Sequence, residues 1–283
     1  MVALLALLAC TPSEPGVDAV PTLHFSAIPD RDTTLLKERF EPVAAYLSDR
    51  LRVPVVFVPA TDYSASVEMF KNGDIQLAWF GGLTGVQARR AVPGAHAIAQ
   101  GVEDPHYYSY FIASDQSGIA PSDSFPVAIA EHTFTFGSAV STSGRLMPEH
   151  FIRTYTGKGP EDFFTEPVGF SGAHDKTALW VASGRVDAGV LSYKTWEELE
   201  ATGAVDGAHV IWKTPVYADY NFTAHPDLQT LYGPGFTERL QATLVDMRDP
   251  TLLKALSRTG LIPANDEAFA DIERVAESLD MVR

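Results

Sequence analysis

The segment Thr133-Phe-Thr-Phe-Gly-Ser138-Ala-Val-Ser141-Thr-Ser-Gly-Arg145 sets Ser141, Thr142 and Ser143 directly after a strand-like run and a short turn. At a helix start such hydroxyls donate O–H bonds toward the point that the unpaired backbone N–H groups and the positive end of the helix dipole also face. Gly144 removes a side chain from the first turn, and the whole suits a tetrahedral oxyanion. A plain N-cap uses the same residue types, so both readings stay open at this segment. His174, in Gly169-Phe-Ser-Gly-Ala-His-Asp175-Lys-Thr177, stands at a second glycine-rich helix entry. A His there donates to an anion when a neighbour holds its other nitrogen, and a satisfied structural His fits equally well. Asp62-Tyr63-Ser64 and Tyr107-Tyr108-Ser109-Tyr110 add phenolic donors before a helix and a strand. Asp74-Ile-Gln-Leu-Ala-Trp79-Phe80-Gly81-Gly82 ends a buried strand in two glycines, where backbone N–H groups can approach a ligand at the carboxyl edge of a sheet.

Catalysis finds no comparable support. A triad drawn from Ser143, His174 and an Asp lacks the GxSxG elbow, and HExxH, GxGxxG and GxxxxGK[ST] are absent. The 8 His residues show no metal spacing, so neither a metal nor a cofactor is expected. With 21 Lys and Arg against 36 Asp and Glu the formal charge is −15, and no basic cluster exceeds the Arg89-Arg90 pair. A protein that tracks nucleic acid needs a basic stripe, so that class is excluded. The 46% of apolar residues is ample for a full core.

These residues must be positioned by alternating strands and helices. Strands are expected at 23–28, 53–58, 75–80, 95–100 and 107–113, with helices at 33–50, 64–72 and 83–91. A second set follows residues 114–126: strands at 133–137, 168–170, 188–191 and 210–212, helices near 141 and over 175–183, and a helical tail from 236 to 281. The pattern predicts an α/β protein of two lobes, 22–112 plus 214–283 and 113–213, joined by a two-strand hinge. Ahead of them, the apolar run 2–9 is too short to span a bilayer and reads as a signal segment. Leu7-Leu8-Ala9-Cys10 is similar to a bacterial lipobox, so Cys10 is the expected lipidation site, with 11–21 as a polar tether. The mature protein is then expected outside the cytoplasm, anchored to the membrane.

Asp62-Tyr63, Asn72-Gly-Asp-Ile-Gln-Leu-Ala-Trp-Phe-Gly81, Tyr107-Tyr-Ser109, Ser141-Thr-Ser-Gly144, Ala173-His174-Asp175 and Val210-Ile-Trp-Lys-Thr-Pro215 resemble, in order and spacing, the phosphonate/phosphite (PhnD-like) solute-binding proteins of ABC importers. The resemblance covers residues 22 to about 260. Phe25-Ser-Ala-Ile-Pro-Asp30, Ala78-Trp-Phe-Gly-Gly-Leu-Thr-Gly-Val-Gln-Ala88 and Gly260-Leu-Ile-Pro-Ala264 look closest to the branch described as selenate-binding. It implies a type II periplasmic-binding-protein fold, with mixed sheets flanked by helices, that closes over an oxyanion and passes it to a permease and ATPase. Tyr63, Tyr107, Ser141, Thr142, Ser143 and His174 match the family's ligand positions, and Trp79, Phe80 and Gly81 lie in the matching strand end. Where aminophosphonate binders carry an acid, this chain reads Leu191-Ser-Tyr193-Lys194, and Asp219 matches the other acid. That departure argues against an ammonium-bearing ligand. The expectation is a monomeric binding protein for a bare oxyanion, selenate first, with phosphite, phosphate or a simple alkylphosphonate as the alternative, and an anion sensor without a permease as a second one.

Overall fold

The computed structural model describes residues 20–282. The expectations for Cys10 and most of the tether fall outside them. The chain opens with β1 (Leu23–Ala27), α1 (Thr33–Leu51), β2 (Val55–Phe57), α2 (Tyr63–Lys71), β3 (Leu77–Phe80), α3 (Gly82–Ala91) and β4 (His96–Gly101). It continues through β5 (Ser109–Ser114), β6 (Phe134–Phe136), α4 (Met147–Thr156), α5 (Pro160–Phe163), β7 (Gly169–Phe170), α6 (His174–Ala182), β8 (Ala188–Ser192), α7 (Tyr193–Glu200) and β9 (Ala208–Lys213). The last part holds β10 (Asn221–Ala224), α8 (Asp227–Tyr232), α9 (Phe236–Val245), α10 (Pro250–Ala255), β11 (Leu261–Pro263) and α11 (Ala270–Ser278).

The strands form two sheets, a six-stranded one in the order β11-β4-β10-β3-β1-β2 and a five-stranded one in the order β7-β6-β8-β5-β9. Both are mixed. β10 runs antiparallel between β3 and β4, and β5 runs antiparallel to β8 and β9. β3 is buried along its whole length, as a strand with neighbours on both edges and helices on both faces must be. The main core centres on Phe25, which meets Phe40, Phe57 and Phe222 at centroid distances of 5.4–5.9 Å. A smaller cluster of Ile112, Ala178, Val181, Leu191, Trp196 and Val205 lies under α6 and α7.

The chain passes between the sheets twice. Ser109 pairs with Ser192, so β5 belongs wholly to the second sheet, and the first passage lies at 102–108 rather than at the expected boundary of 112. The second passage lies at 214–220. Tyr107 and Tyr217 exchange backbone hydrogen bonds of 2.9 Å, which ties the two passages into the two-strand hinge. α5, α7, α8, β10 and β11 are not anticipated by the sequence pattern. β10 matters most, because its insertion makes the first sheet mixed, as the resemblance implies, and brings residues 214–220 beside the end of β3.

Candidate anion-binding site

The carboxyl end of β3 delivers Gly81 and Gly82 to the junction of the lobes. Their lack of side chains is a spatial need: a Cβ on Gly81 would lie 3.1 Å from Thr142 Oγ1 and 3.3 Å from Asp219 Oδ1. The Gly82 N–H donates to Asp219 Oδ1 at 2.8 Å, and the Leu83 N–H, at the start of α3, donates across the cleft to Thr142 Oγ1 at 2.9 Å. From the other lobe come Ser141, Thr142 and Ser143. They open a wide turn, Thr142–Leu146, in which the Leu146 N–H bonds back to the Ser141 carbonyl at 2.9 Å and the Met147 N–H to the Thr142 carbonyl. This five-residue spacing replaces the ordinary α-helical start expected there, and such turns recur at functional sites. The Ser141 hydroxyl oxygen accepts from the Gly144 N–H at 2.9 Å, which keeps its proton free to donate.

His174 begins α6, with its N–H on the Asp30 carbonyl at 3.1 Å. Its Nδ1 accepts from the Ser192 N–H at 3.4 Å, which puts the ring proton on Nε2, 3.4 Å from Ser143 Oγ. Burial, only partly offset by Asp30, lowers its pKa to about 4, so the ring is a neutral donor at neutral pH. Asp219 follows the opposite logic. Burial raises its pKa to about 7 against the lowering effect of the Gly82 N–H and the Thr142 hydroxyl, with Asp104 raising it and Arg258 lowering it further.

Two polar atoms here are buried and make no hydrogen bond to protein: Tyr63 Oη and Asp219 Oδ2. Tyr63 leans toward Ser141 without completing a bond. A donor hydroxyl and a carboxylate oxygen, facing serine and threonine hydroxyls and a neutral imidazole, can surround one small oxyanion that carries a single proton. Tyr63, Ser141, Thr142, Ser143, His174 and Asp219 are each at most 2% exposed, so the cleft stands closed.

The structure brings together Tyr63, Gly81, Ser141, Thr142, Ser143, His174 and Asp219. It sets others apart. Phe80 faces the core, with its ring 5.6 Å from Phe70. Trp79 packs beneath Phe222 and Tyr220 at 4.7 and 5.5 Å. Tyr107, by contrast, stays within electrostatic reach of Tyr63 and Asp219 while its hydroxyl shares a hydrogen bond with Ser192, and Tyr193 packs against its ring at 4.9 Å and stacks on Tyr108 at 3.9 Å. Sequence reasoning missed the supports. Ser109 Oγ donates to the Ser143 carbonyl at 2.7 Å and shares a hydrogen bond with Tyr217. Arg258 is held by Asp104 through two hydrogen bonds of 2.9 and 2.6 Å, and its guanidinium lies 4.7–5.4 Å from the centroids of Tyr220, Tyr107 and Trp79. The Asp104 carbonyl in turn accepts from the Asp219 N–H at 3.1 Å. Only the Tyr107-Tyr108-Ser109 block had pointed to any of these.

Two α/β lobes with a crossed hinge, closed over donors from both, define a periplasmic solute-binding protein of the type II fold. Residues 25–269 match the family described as "ABC transporter, phosphonate, periplasmic substrate-binding protein", and the chain belongs to that family. It is 33% identical over 280 residues to the probable ABC transporter phosphite binding protein PhnD1 of Prochlorococcus marinus strain MIT 9301, covering 96% of this chain and 94% of the relative. A structure of PhnD1 in complex with methylphosphonate superposes with a TM-score of 0.86, over 92% of this chain and 99% of that one. The phosphate-import protein PhnD of Mycolicibacterium smegmatis is 29% identical over 234 residues, 78% of this chain and 70% of the relative. The protein is thus a substrate-binding component for transport by family, and neither of these relatives is described as binding selenate.

Proposed function

We propose that this protein captures phosphite or a small alkylphosphonate such as methylphosphonate and delivers it to an ABC permease and its ATPase. The observation that carries the reading is the free, buried Asp219 Oδ2 among donors. Phosphate-type dianions take up a proton at about pH 6, so near neutrality ligand and Asp219 readily share one proton between them. Selenate offers none, so it meets Asp219 as a like charge unless Asp219 itself supplies the proton. The names of the relatives favour the same side, so the phosphite and phosphonate alternative replaces selenate as the leading reading. In this reading Tyr63, Ser141, Thr142 and Ser143 donate hydroxyls, His174 donates from Nε2, and Gly81 and Gly82 let the lobes approach. Lys194 pairs with Glu103 at 3.7 Å, so the region matching an ammonium-binding acid carries a cation instead. Methylphosphonate is therefore preferred over 2-aminoethylphosphonate.

Calorimetric titration of the chain without residues 1–10 tests this. Phosphite or methylphosphonate should bind at least about 10-fold tighter than selenate, sulfate or 2-aminoethylphosphonate, a gap of about 1.4 kcal/mol or more. Selenate as the tightest ligand would reject the reading. Lipidation at Cys10 is a separate part of the proposal, checked by mass spectrometry of the N-terminal peptide from a bacterial membrane fraction.

A further inference from the structure

Three consecutive residues between β1 and α1 each bond to the opposite lobe. The Asp30 carbonyl accepts from the His174 N–H at 3.1 Å. The Asp32 N–H donates to Asp175 Oδ2 at 3.0 Å. Between them Arg31 forms an ion pair through Nη1 with Glu198 on α7. The segment is itself braced from its own lobe. Asp30 is paired with Arg39 at 3.6 Å and accepts from the Tyr220 hydroxyl at 3.0 Å, while Arg31 Nη2 donates to Ser257 Oγ at 3.4 Å. A rigid three-residue span on one lobe thus meets the first residues of α6 and the middle of α7 on the other.

We infer that Asp30, Arg31 and Asp32 form a clasp that holds the lobes closed over the bound anion, and that the Arg31–Glu198 pair sets how long the ligand stays without touching it. The geometry explains why. The three bonds to His174, Glu198 and Asp175 all reach the far lobe, so they exist only when the cleft is shut, and opening breaks them together. The Asp30 link also joins the clasp to the site, because it fixes the N–H of the residue whose ring faces Ser143. Arg31 and Glu198 are 21% and 44% exposed, so their pair is partly screened and its effect is moderate. A binding protein must also surrender its ligand, and a clasp made of a half-exposed ion pair and backbone bonds at the cleft edge can be opened from outside.

The inference rests on the proposed capture of an oxyanion, and stopped-flow tryptophan fluorescence with methylphosphonate tests it. Glu198→Gln and Arg31→Gln should each raise the dissociation rate about fivefold and leave the association rate within about twofold, because the lost bonds act only after closure. The charge swap Arg31→Glu with Glu198→Arg should recover a slower dissociation than Arg31→Glu alone. Unchanged dissociation in both Gln variants, or a swap no slower than Arg31→Glu, would overturn the clasp while leaving the capture reading intact. A wild-type protein that binds neither methylphosphonate nor phosphite would reject the capture reading, and the clasp is then decided in the ligand-free protein. Spin labels at Glu41→Cys and Lys158→Cys should show a smaller closed-distance fraction in Glu198→Gln than in its parent, and identical distance distributions would overturn it.

Discussion

Asp219 is held in a place that suits a ligand and harms the fold. Its carboxyl loses a proton at about 7 when folded against an ordinary 3.8, because burial disfavours its charge. Between those values the folded state holds a proton that the unfolded chain has released, so the native state loses stability as pH rises from 4 to 7 and the loss is complete above 7. The penalty is on the order of 4 kcal/mol. Asp219→Asn should therefore raise the melting temperature of the ligand-free protein at pH 8 by several degrees and change it little at pH 4, as scanning calorimetry would show. A second prediction concerns the donors. Replacing Ser141, Thr142 and Ser143 together with Ala should weaken methylphosphonate binding at least about 100-fold while the circular dichroism spectrum is kept, since several bonds to a charged ligand are lost at once. The hydroxyl block was legible in the sequence because its residue types and its neighbour Gly144 announce a helix start. Asp219 was legible only through the family resemblance. Asp30, Arg31, Asp104 and Arg258 were not legible at all, for each is a lone charge whose partner is distant in sequence, as with the 154 positions between Asp104 and Arg258.

Among the elements, those with a strong period or a clear cap were readable and those made by their neighbours were not. α2 has Asp62 as an N-cap, accepting from the Ala65 N–H at 2.8 Å, and ends before Gly73, whose φ of +76° suits a glycine. By contrast β10 has the sequence Asn-Phe-Thr-Ala, and its strand character comes from β3 and β4 on either side. α7, Tyr193–Glu200, sets Tyr193, Trp196 and Leu199 on one face against charged residues, but it is only eight residues long and follows β8 without a break, so its short period does not stand out in the sequence. The wide turn at Thr142–Leu146 was foreseen as a helix start and not as the looser turn it is, since no residue type specifies five-residue spacing. That turn yields its own prediction. A Cβ on Gly144 would lie 3.0 Å from Ser141 Oγ and 3.2 Å from Gly137 Cα, which is backbone and does not yield easily. Gly144→Ala should weaken methylphosphonate binding about 10-fold and lower the melting temperature, measured by calorimetric titration and thermal unfolding.

On the scale of the whole molecule, the charge of −15 opposes the approach of an anion to the dipoles and hydroxyls proposed to hold it in the closed cleft. Salt shortens the reach of that repulsion from about 30 Å at 0.01 M to about 8 Å at 0.15 M. The association rate of methylphosphonate should therefore rise with ionic strength at fixed pH, where an oppositely charged pair would show a fall; stopped-flow traces at several salt concentrations check it. The two-lobed plan was plain from the sequence because αβ alternation repeats on both sides of the Ser- and Pro-containing stretch 114–126. The point of passage was placed a few residues late, because the apolar run 107–113 continues smoothly from the hinge into β5 and only strand pairing marks where the sheet begins. The most direct test of the account is the number of protons taken up when methylphosphonate binds at pH 8.5, obtained by calorimetry in buffers of different ionisation enthalpy. Free Asp219 and the free ligand are both largely deprotonated there, so one shared proton in the complex predicts uptake close to one per ligand in the wild type and close to zero in Asp219→Asn. No uptake in the wild type would contradict the shared proton and with it the proposed basis for choosing phosphite and phosphonates over selenate.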